Sequence, residues 1–375
     1  MLRIGRASHE LKADLAPQQF IKAGSPTTGE SRSGPAARGL SRVISRFLAA
    51  GYFAFRMAEI ALKKALELKT SLSRVFGGRE TFLDPKRYVF PVEEPAVGAE
   101  ALQTVRKMRG SRPPAIILHG VMQRSGTVFT GELLGLHADL HNYPREVYEF
   151  PFLRMTGEIF ALHKDFISAY ENNRDKILQH DFLALTAAPL LAHLYAAAPI
   201  GQRMLLKVPN SEYLPYFYAA FPFENLLILM RDGRDVVTST LRTWPNLNFT
   251  DICRRWNYSA RLILQCNKKF SERSSYFYAR YEDVSRSPDK FVRAVCCRFG
   301  LDEDRYPFEK IYQLPVRGSS TYRPGNEVSW EAMERPKQFQ TIGRWNSWSE
   351  GQKKAFKKIA GQTLIDLEYC EDLNW

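Results

Sequence analysis

Cysteine is scarce in this 375-residue chain: five residues, at positions 253, 266, 296, 297 and 370, with no Cys-x-x-Cys pair among them. An odd, scattered set argues against a disulfide framework and against a structural zinc site, and makes a reducing, cytoplasmic compartment the expectation. Long apolar runs are missing too. The longest, Phe47 to Phe55, is nine residues before Arg56 interrupts it, well short of the ~18 that a membrane-spanning helix needs. It also starts too far from Met1 to read as a signal peptide. Zinc-finger spacing and the glycine-aromatic pattern of RNA-binding sheets are absent, so nucleic acid is not the expected partner. His163, His180 and His193 show no metal-ligand spacing, and no metal is expected.

What the chain does have is apolar content and positive charge. Hydrophobic residues make up 45% of it, enough for a sizeable core, and 53 Lys plus Arg stand against 40 Asp plus Glu. Of the surplus of 13, nine fall in residues 1–79, which hold 14 basic and 5 acidic residues. An anionic partner is expected somewhere, and the basicity is mostly N-terminal.

Residues 1–40 are rich in Ser, Gly, Pro and Ala without apolar periodicity and read as disordered. Residues 41–79 read as a basic helical extension. Within 41–69, Ile44, Phe47, Leu48, Phe55, Leu62 and Leu66 recur at helical spacing beside Arg42, Arg46, Lys63 and Lys64. Such a helix can lie on an anionic membrane surface, pack on the main domain, or meet a partner subunit such as a second copy in a homodimer. From about residue 105 to 375, short apolar runs alternate with helical stretches, the signature of βαβ units and a parallel sheet. The expected strands are Ala115–Leu118, Met204–Leu206, Leu226–Met230 and Tyr276–Ala279. The expected helices are Gly126–Leu136, Phe182–Ala198, Arg234–Arg242, Asp251–Phe270, Pro288–Phe299 and Glu350–Leu364. The fold class is α/β, a P-loop-like doubly wound parallel sheet flanked by helices, with its ligand beyond the carboxyl ends of the strands.

Two loops carry the chemistry. The first, Gly120-Val-Met-Gln-Arg-Ser-Gly-Thr127, joins a strand to a helix N-terminus, where amide N–H groups and the helix dipole favour an anion. It lacks the Gly-Lys-Ser/Thr ending of a nucleotide-triphosphate P-loop, so the hydroxyl that would hold Mg²⁺ is missing. The second, Arg231-Asp-Gly-Arg-Asp-Val-Val-Thr-Ser239, puts an arginine at a strand's carboxyl end and a serine two turns into the next helix, on the same rim of the sheet.

Gln-Arg-Ser-Gly-Thr after a first strand, paired with Arg-Asp-x-Arg-Asp-x-x-x-Ser after a later one, resembles the sulfotransferases that use 3′-phosphoadenosine 5′-phosphosulfate (PAPS). Lys207-Val-Pro209, Arg280-Tyr-Glu-Asp-Val284, Arg317-Gly-Ser-Ser320 and Ile342-Gly-Arg-Trp345 extend the likeness over about residues 115–365. The resemblance implies that Ser125, Gly126, Thr127 and Val128 cradle the 5′-phosphate, with the two hydroxyls as added donors. Phe129 would stand by the adenine with Tyr281, and Arg231 and Ser239 would hold the 3′-phosphate. Ser319, Ser320 and Arg344 would close over the nucleotide. Arg124 and Lys207 would neutralise charge on the leaving oxygen. Where small-molecule members carry a histidine two residues after the lysine, this chain has Pro209. The run Leu136-His-Ala-Asp-Leu-His-Asn-Tyr-Pro-Arg-Glu146-Val resembles the tyrosylprotein and carbohydrate types instead, which implies Glu146 as general base, with Glu149 and His141 as competitors.

The implied reaction moves a sulfuryl group from PAPS, as co-substrate, to a hydroxyl of a carbohydrate, lipid or protein acceptor. Competing readings are a P-loop-type kinase or nucleotide hydrolase and a catalytically silent sulfotransferase-like binding module. Acceptor pockets would come from loops at 143–181 and Trp244–Arg254. His119 reads as a hydrogen-bonded core residue, Trp256 and Tyr258 as packing, and Arg234 with Asp235 as an ion pair or helix cap.

Overall fold

The computed structural model describes residues 84–142, 149–169, 172, 176–320, 331–334 and 340–375, all within one compact unit, Glu80–Trp375. The expected disordered segment 1–40 and basic helix 41–79 lie outside the described residues, as does Glu146.

In chain order the regular elements are α1 (Ala99–Arg109), β1 (Ile116–Gly120), α2 (Thr127–Leu134), β2 (Leu140–Asn142), α3 (Thr156–Ser168), α4 (Gln179–Ala197), β3 (Arg203–Val208), α5 (Phe217–Ala220), β4 (Asn225–Met230), α6 (Gly233–Thr243), α7 (Phe249–Phe270), β5 (Tyr276–Arg280), α8 (Tyr281–Arg286), α9 (Pro288–Phe299) and α10 (Glu350–Asp366). The strands form one parallel sheet in the order β2-β3-β1-β4-β5. The chain winds one way from β1 and the other way from β4, so the order reverses between those two central strands. That reversal opens a crevice at their carboxyl ends, where ligands of open α/β sheets bind.

The central strands are buried on both faces, as a parallel sheet sandwiched by helices requires. Ile117, Met204, Leu206 and Ile228 face one layer with Leu183 and Leu191 of α4, Ile252 and Trp256 of α7, and Phe356 and Leu364 of α10. Ile116, Leu118, Leu205 and Leu227 face the other with Leu133 of α2, Val284 of α8, and Val292 and Val295 of α9. Local signals set several helix starts. Asn248 accepts amides of Thr250 and Asp251 to cap α7, and Ser349 with Gln352 forms a reciprocal capping box at α10. Trp256 is fully buried and donates its indole N–H to the Arg231 carbonyl, and Tyr258 stacks on Tyr88.

Five elements were not expected from the sequence: β2, α1, α3, α5 and α8. β2 is only three residues long. α1 spans the expected domain start at 105 and packs Val105 against Ala184 and Ala188 of α4. α3 occupies part of 143–181, where acceptor-binding loops were expected. Likewise Trp244–Arg254 is mostly the start of α7, leaving a short connection around Trp244. Among the described residues no helix is long and apolar enough to cross a membrane.

Candidate active site

The chain leaves β1 at Gly120, where a Cβ would stand 2.2 Å from Ser125 Oγ and 2.7 Å from Thr127 Cγ2. Only glycine allows the loop to fold back this closely. Ser125 closes the turn, its amide and hydroxyl both donating to the Met122 carbonyl at 3.2 and 2.7 Å. The hydroxyl expected to reach a phosphate is therefore committed to the loop itself, and Ser125 is fully buried behind it. Arg124 and Gly126 take positive φ, 74° and 95°, which turns the chain into α2. The first helical bond runs from Thr130 N to Gly126 O, so the amides of Thr127 and Val128 precede it and mark an anion-binding helix end. Gly126 packs on a ring: a Cβ there would meet Tyr281 Cδ2 at 2.2 Å. Tyr281 in turn meets Phe129 edge to face, with centroids 6.5 Å apart.

Arg231 leaves β4 buried among these groups. Its Nη1 donates to the Arg124 carbonyl at 2.6 Å, its Nη2 to the Thr341 carbonyl, and its guanidinium lies 4.4 Å from the Tyr281 ring centre. Its Nε is buried without a hydrogen-bond partner among the described residues. Two turns into α6, Ser239 Oγ meets Ser320 Oγ at 2.9 Å and accepts from Arg124 Nε at 3.2 Å. Arg344 Nη1 donates to the same Ser320 hydroxyl at 3.0 Å. Burial, with Arg231 adding repulsion, pushes the Arg344 pKa down to about 10. Three guanidiniums and two hydroxyls thus converge on one wall.

The cavity lined by these groups also takes in Lys207, the penultimate residue of β3, almost fully buried with Nζ 2.9 Å from Glu149 Oε1. Burial lowers its pKa, opposed by Glu149 and Glu132. Glu132 on α2 pairs with Arg317 at 2.6 Å, and burial holds its carboxyl above the usual range. One cavity of about 420 Å³ gathers these walls. It is lined by Arg124, Gly126, Thr127, Val128, Phe129 and Lys207 from the first half of the chain. From the second half come Arg231, Ser239, Tyr281, Ser319, Ser320 and Arg344.

The sequence reading missed Glu132 and Thr341 as lining residues, while Trp244, at the start of an expected acceptor-pocket segment, does line the cavity. Glu132 sits five residues past Thr127 on the helix, a usable signal, whereas Thr341 enters through its backbone and leaves none. The reading of Arg234 and Asp235 as an ion pair or helix cap is corrected. Asp232 caps α6 and chelates Arg234, while Asp235 accepts the amides of Gly343 and Arg344. His119 does sit in the core: its Nδ1 meets the Asn210 carbonyl at 3.0 Å, and burial lowers its pKa to about 4. Among the described residues no cluster of His, Cys, Asp or Glu could hold a metal ion.

A family model described as "Sulfotransferase family" matches residues 114–305. A comparison with curated proteins finds no match. Among solved structures, a sulfotransferase domain from the curacin biosynthetic pathway is 19% identical, covering 67% of this chain and 98% of that one with a TM-score of 0.40. The sulfotransferase domain of the Synechococcus PCC 7002 olefin synthase is 17% identical, covering 68% and 95% with a TM-score of 0.43. A mouse sulfotransferase complexed with PAP is 12% identical, covering 73% and 94% with a TM-score of 0.40. The family match takes in half of the chain and spans both phosphate-loop motifs, from before β1 to beyond α9, and the chain belongs to the sulfotransferase family.

Proposed function

We propose that this enzyme transfers the sulfuryl group of PAPS to a hydroxyl of a carbohydrate, lipid or protein acceptor. The observation that carries the donor assignment is the wall of Arg124, Arg231 and Arg344 with Ser239 and Ser320, facing the helix end at Thr127 in one cavity. Charge-assisted hydrogen bonds of this kind are the strong ones, and two anion sites on one crevice suit a doubly phosphorylated nucleotide. The buried Nε of Arg231 has no partner among the described residues and is a donor that a bound phosphate could satisfy.

When bound, PAPS supplies an activated sulfuryl group on its 5′-phosphate. The acceptor oxygen bonds to sulfur while the sulfur–oxygen bond to phosphate breaks, and adenosine 3′,5′-bisphosphate (PAP) leaves. As in phosphoryl transfer, catalysis of such a step is mostly positioning and charge stabilisation. Arg124 and Lys207, which both line the cavity, are assigned to the negative charge on the leaving oxygen. The acceptor proton needs a base. Glu149 already holds the Lys207 ammonium, so accepting a proton there would break an ion pair. Glu146 is therefore kept as the base, on the strength of its sequence context.

Acceptor class rests on two features. The Glu146 run and Arg124 are of the carbohydrate and tyrosylprotein type, and the cavity offers carboxylates and an arginine beside Trp244 and not a purely apolar pocket. Incubation with labelled PAPS and a cell extract, followed by mass spectrometry of the labelled product, tests the assignment. A sulfated hydroxyl supports it, whereas a folded protein that binds no PAP opposes it.

A further inference from the structure

Arg344 reaches the anion wall from far along the chain, on a single 3₁₀ turn, Arg344–Ser347, that begins at Gly343 with φ 78°. An arginine on so short an element needs something to fix it. The structure supplies one buried carboxylate. Gly343 N donates to Asp235 Oδ2 at 2.8 Å and Arg344 N donates to Asp235 Oδ1 at 2.7 Å. Asp235 is fully buried in the first turn of α6. It stands four residues before Ser239, so both side chains lie on one face of the helix. The contacts form a closed circuit. Asp235 grips the Arg344 backbone, the Arg344 guanidinium reaches Ser320, and Ser320 meets Ser239 on the helix where the circuit began.

A second hold acts on the neighbouring residue. The Arg234 guanidinium lies 4.2 Å from the Trp345 ring centre and 4.6 Å from that of Trp375, while Asp232 chelates it from the side at 2.7–3.1 Å. Cation–π contacts in a desolvated setting of this kind are worth more than surface ones. At the start of the same segment the Thr341 carbonyl accepts from Arg231. The segment is thus fastened on both sides of Arg344.

Ordinary capping does not explain Asp235. The cap of α6 is Asp232, whose side chain accepts the Arg234 amide, and both oxygens of Asp235 go to a segment more than a hundred residues away. A carboxylate buried to this depth is costly unless its oxygens are matched, and here each has an amide. Burial raises its pKa, with Arg231 acting in the opposite direction.

We infer that Asp235 is a positioning residue for donor selection: it holds Arg344 against the 3′-phosphate and so sets the preference for 3′-phosphorylated over 3′-unphosphorylated adenine nucleotides. This rests on the donor site assigned above. Positioning of a binding cation affects the donor in its ground state and its transition state alike, so loss appears in KM for PAPS and not in kcat.

The test is titration calorimetry of the full chain with PAP and, separately, with AMP, for wild type, Asp235→Asn and Asp235→Ala. Asparagine keeps the volume and one acceptor oxygen, and alanine removes both. The expected result is a loss of PAP affinity of about tenfold to a hundredfold in Asp235→Ala, smaller in Asp235→Asn, with AMP affinity within about threefold of wild type. KM for PAPS should rise in the same order while kcat holds. If PAP and AMP affinities fall together, or neither changes in a folded variant, the positioning role is overturned. Should the alanine variant fail to fold, the asparagine variant decides by the same ratio. Failure of the wild type itself to bind PAP would instead remove the donor site, leaving a result that cannot be confused with the failure of Asp235.

Discussion

Replacing Lys207 with methionine separates chemistry from folding. Its side chain is 1% exposed, yet its partner Glu149 is 40% exposed, so the 2.9 Å ion pair is open to solvent on one side. A pair screened in this way contributes about 1 kcal/mol or less. Against that stands the cost of taking an ammonium out of water, several kcal/mol before compensation, which methionine of similar length removes. The second outweighs the first, so the variant should be no less stable than wild type, with an unchanged or higher Tm. Turnover should behave differently. One preorganised donor removed from a developing negative charge costs about 10² to 10³ in kcat, or about 3–4 kcal/mol of barrier. PAP lacks the sulfuryl group, and its affinity should hold within about threefold. The assays are thermal melting, PAP titration, and transfer from labelled PAPS. A variant that turns over within tenfold of wild type would refute the role given to Lys207, and one that loses PAP binding would place the lysine in the nucleotide site.

Other perturbations test other parts. Glu146→Gln should lower kcat by about 10² to 10⁴ as loss of a general base, with Glu149→Gln costing less than tenfold; the reverse order in matched assays would move the base to Glu149. Gly126→Ala forces a side chain into a φ of 95° and into the Tyr281 ring, which should cost about 2–4 kcal/mol in denaturant melts and most of the PAP affinity; unchanged binding would show that the loop is not built as described. His119 should make stability pH-dependent. Its Nδ1 donates to a carbonyl, so an added proton must go to the buried Nε2, which has no partner among the described residues, and the folded pKa of about 4 lies below the ordinary 6.5. The unfolded chain then binds a proton that the folded one refuses. Stability is complete above about pH 6.5 and falls toward pH 4, by about 2 kcal/mol between pH 7 and 5. His119→Gln should flatten that part of the profile, and an unchanged slope would count against the burial argument.

Most of the sheet was legible because a parallel strand buried on both faces reads as a short, uniform apolar run, as in Leu226–Met230. The phosphate loops were legible because they need particular residues at fixed spacing, Gly126 for its φ and Arg231 at a strand end. What escaped depends on contacts distant in sequence or on weak local patterns. β2 is three residues long, α1 buries chiefly Ala101 and Val105, and α3 exposes Leu162 and Phe166 on an otherwise amphipathic helix. Asp235 looked like a partner of Arg234 or a helix cap, since nothing nearby signals that its partners are the amides of Gly343 and Arg344. Ser125 looked like a phosphate donor because its type and place fit, but the Met122 carbonyl, three residues back, takes its hydroxyl.

The central claim is that one cavity receives PAPS on an arginine and serine wall and passes its sulfuryl group onward. The most direct measurement follows purified wild type and Arg231→Ala with PAPS labelled at sulfur and a cell extract as acceptor source, quantifying labelled product against PAP released. The account predicts label in a hydroxyl-bearing product, matched mole for mole by PAP, and loss of most of both in Arg231→Ala. A folded wild type that releases no PAP and labels nothing, or an Arg231→Ala variant that performs as well, would contradict it.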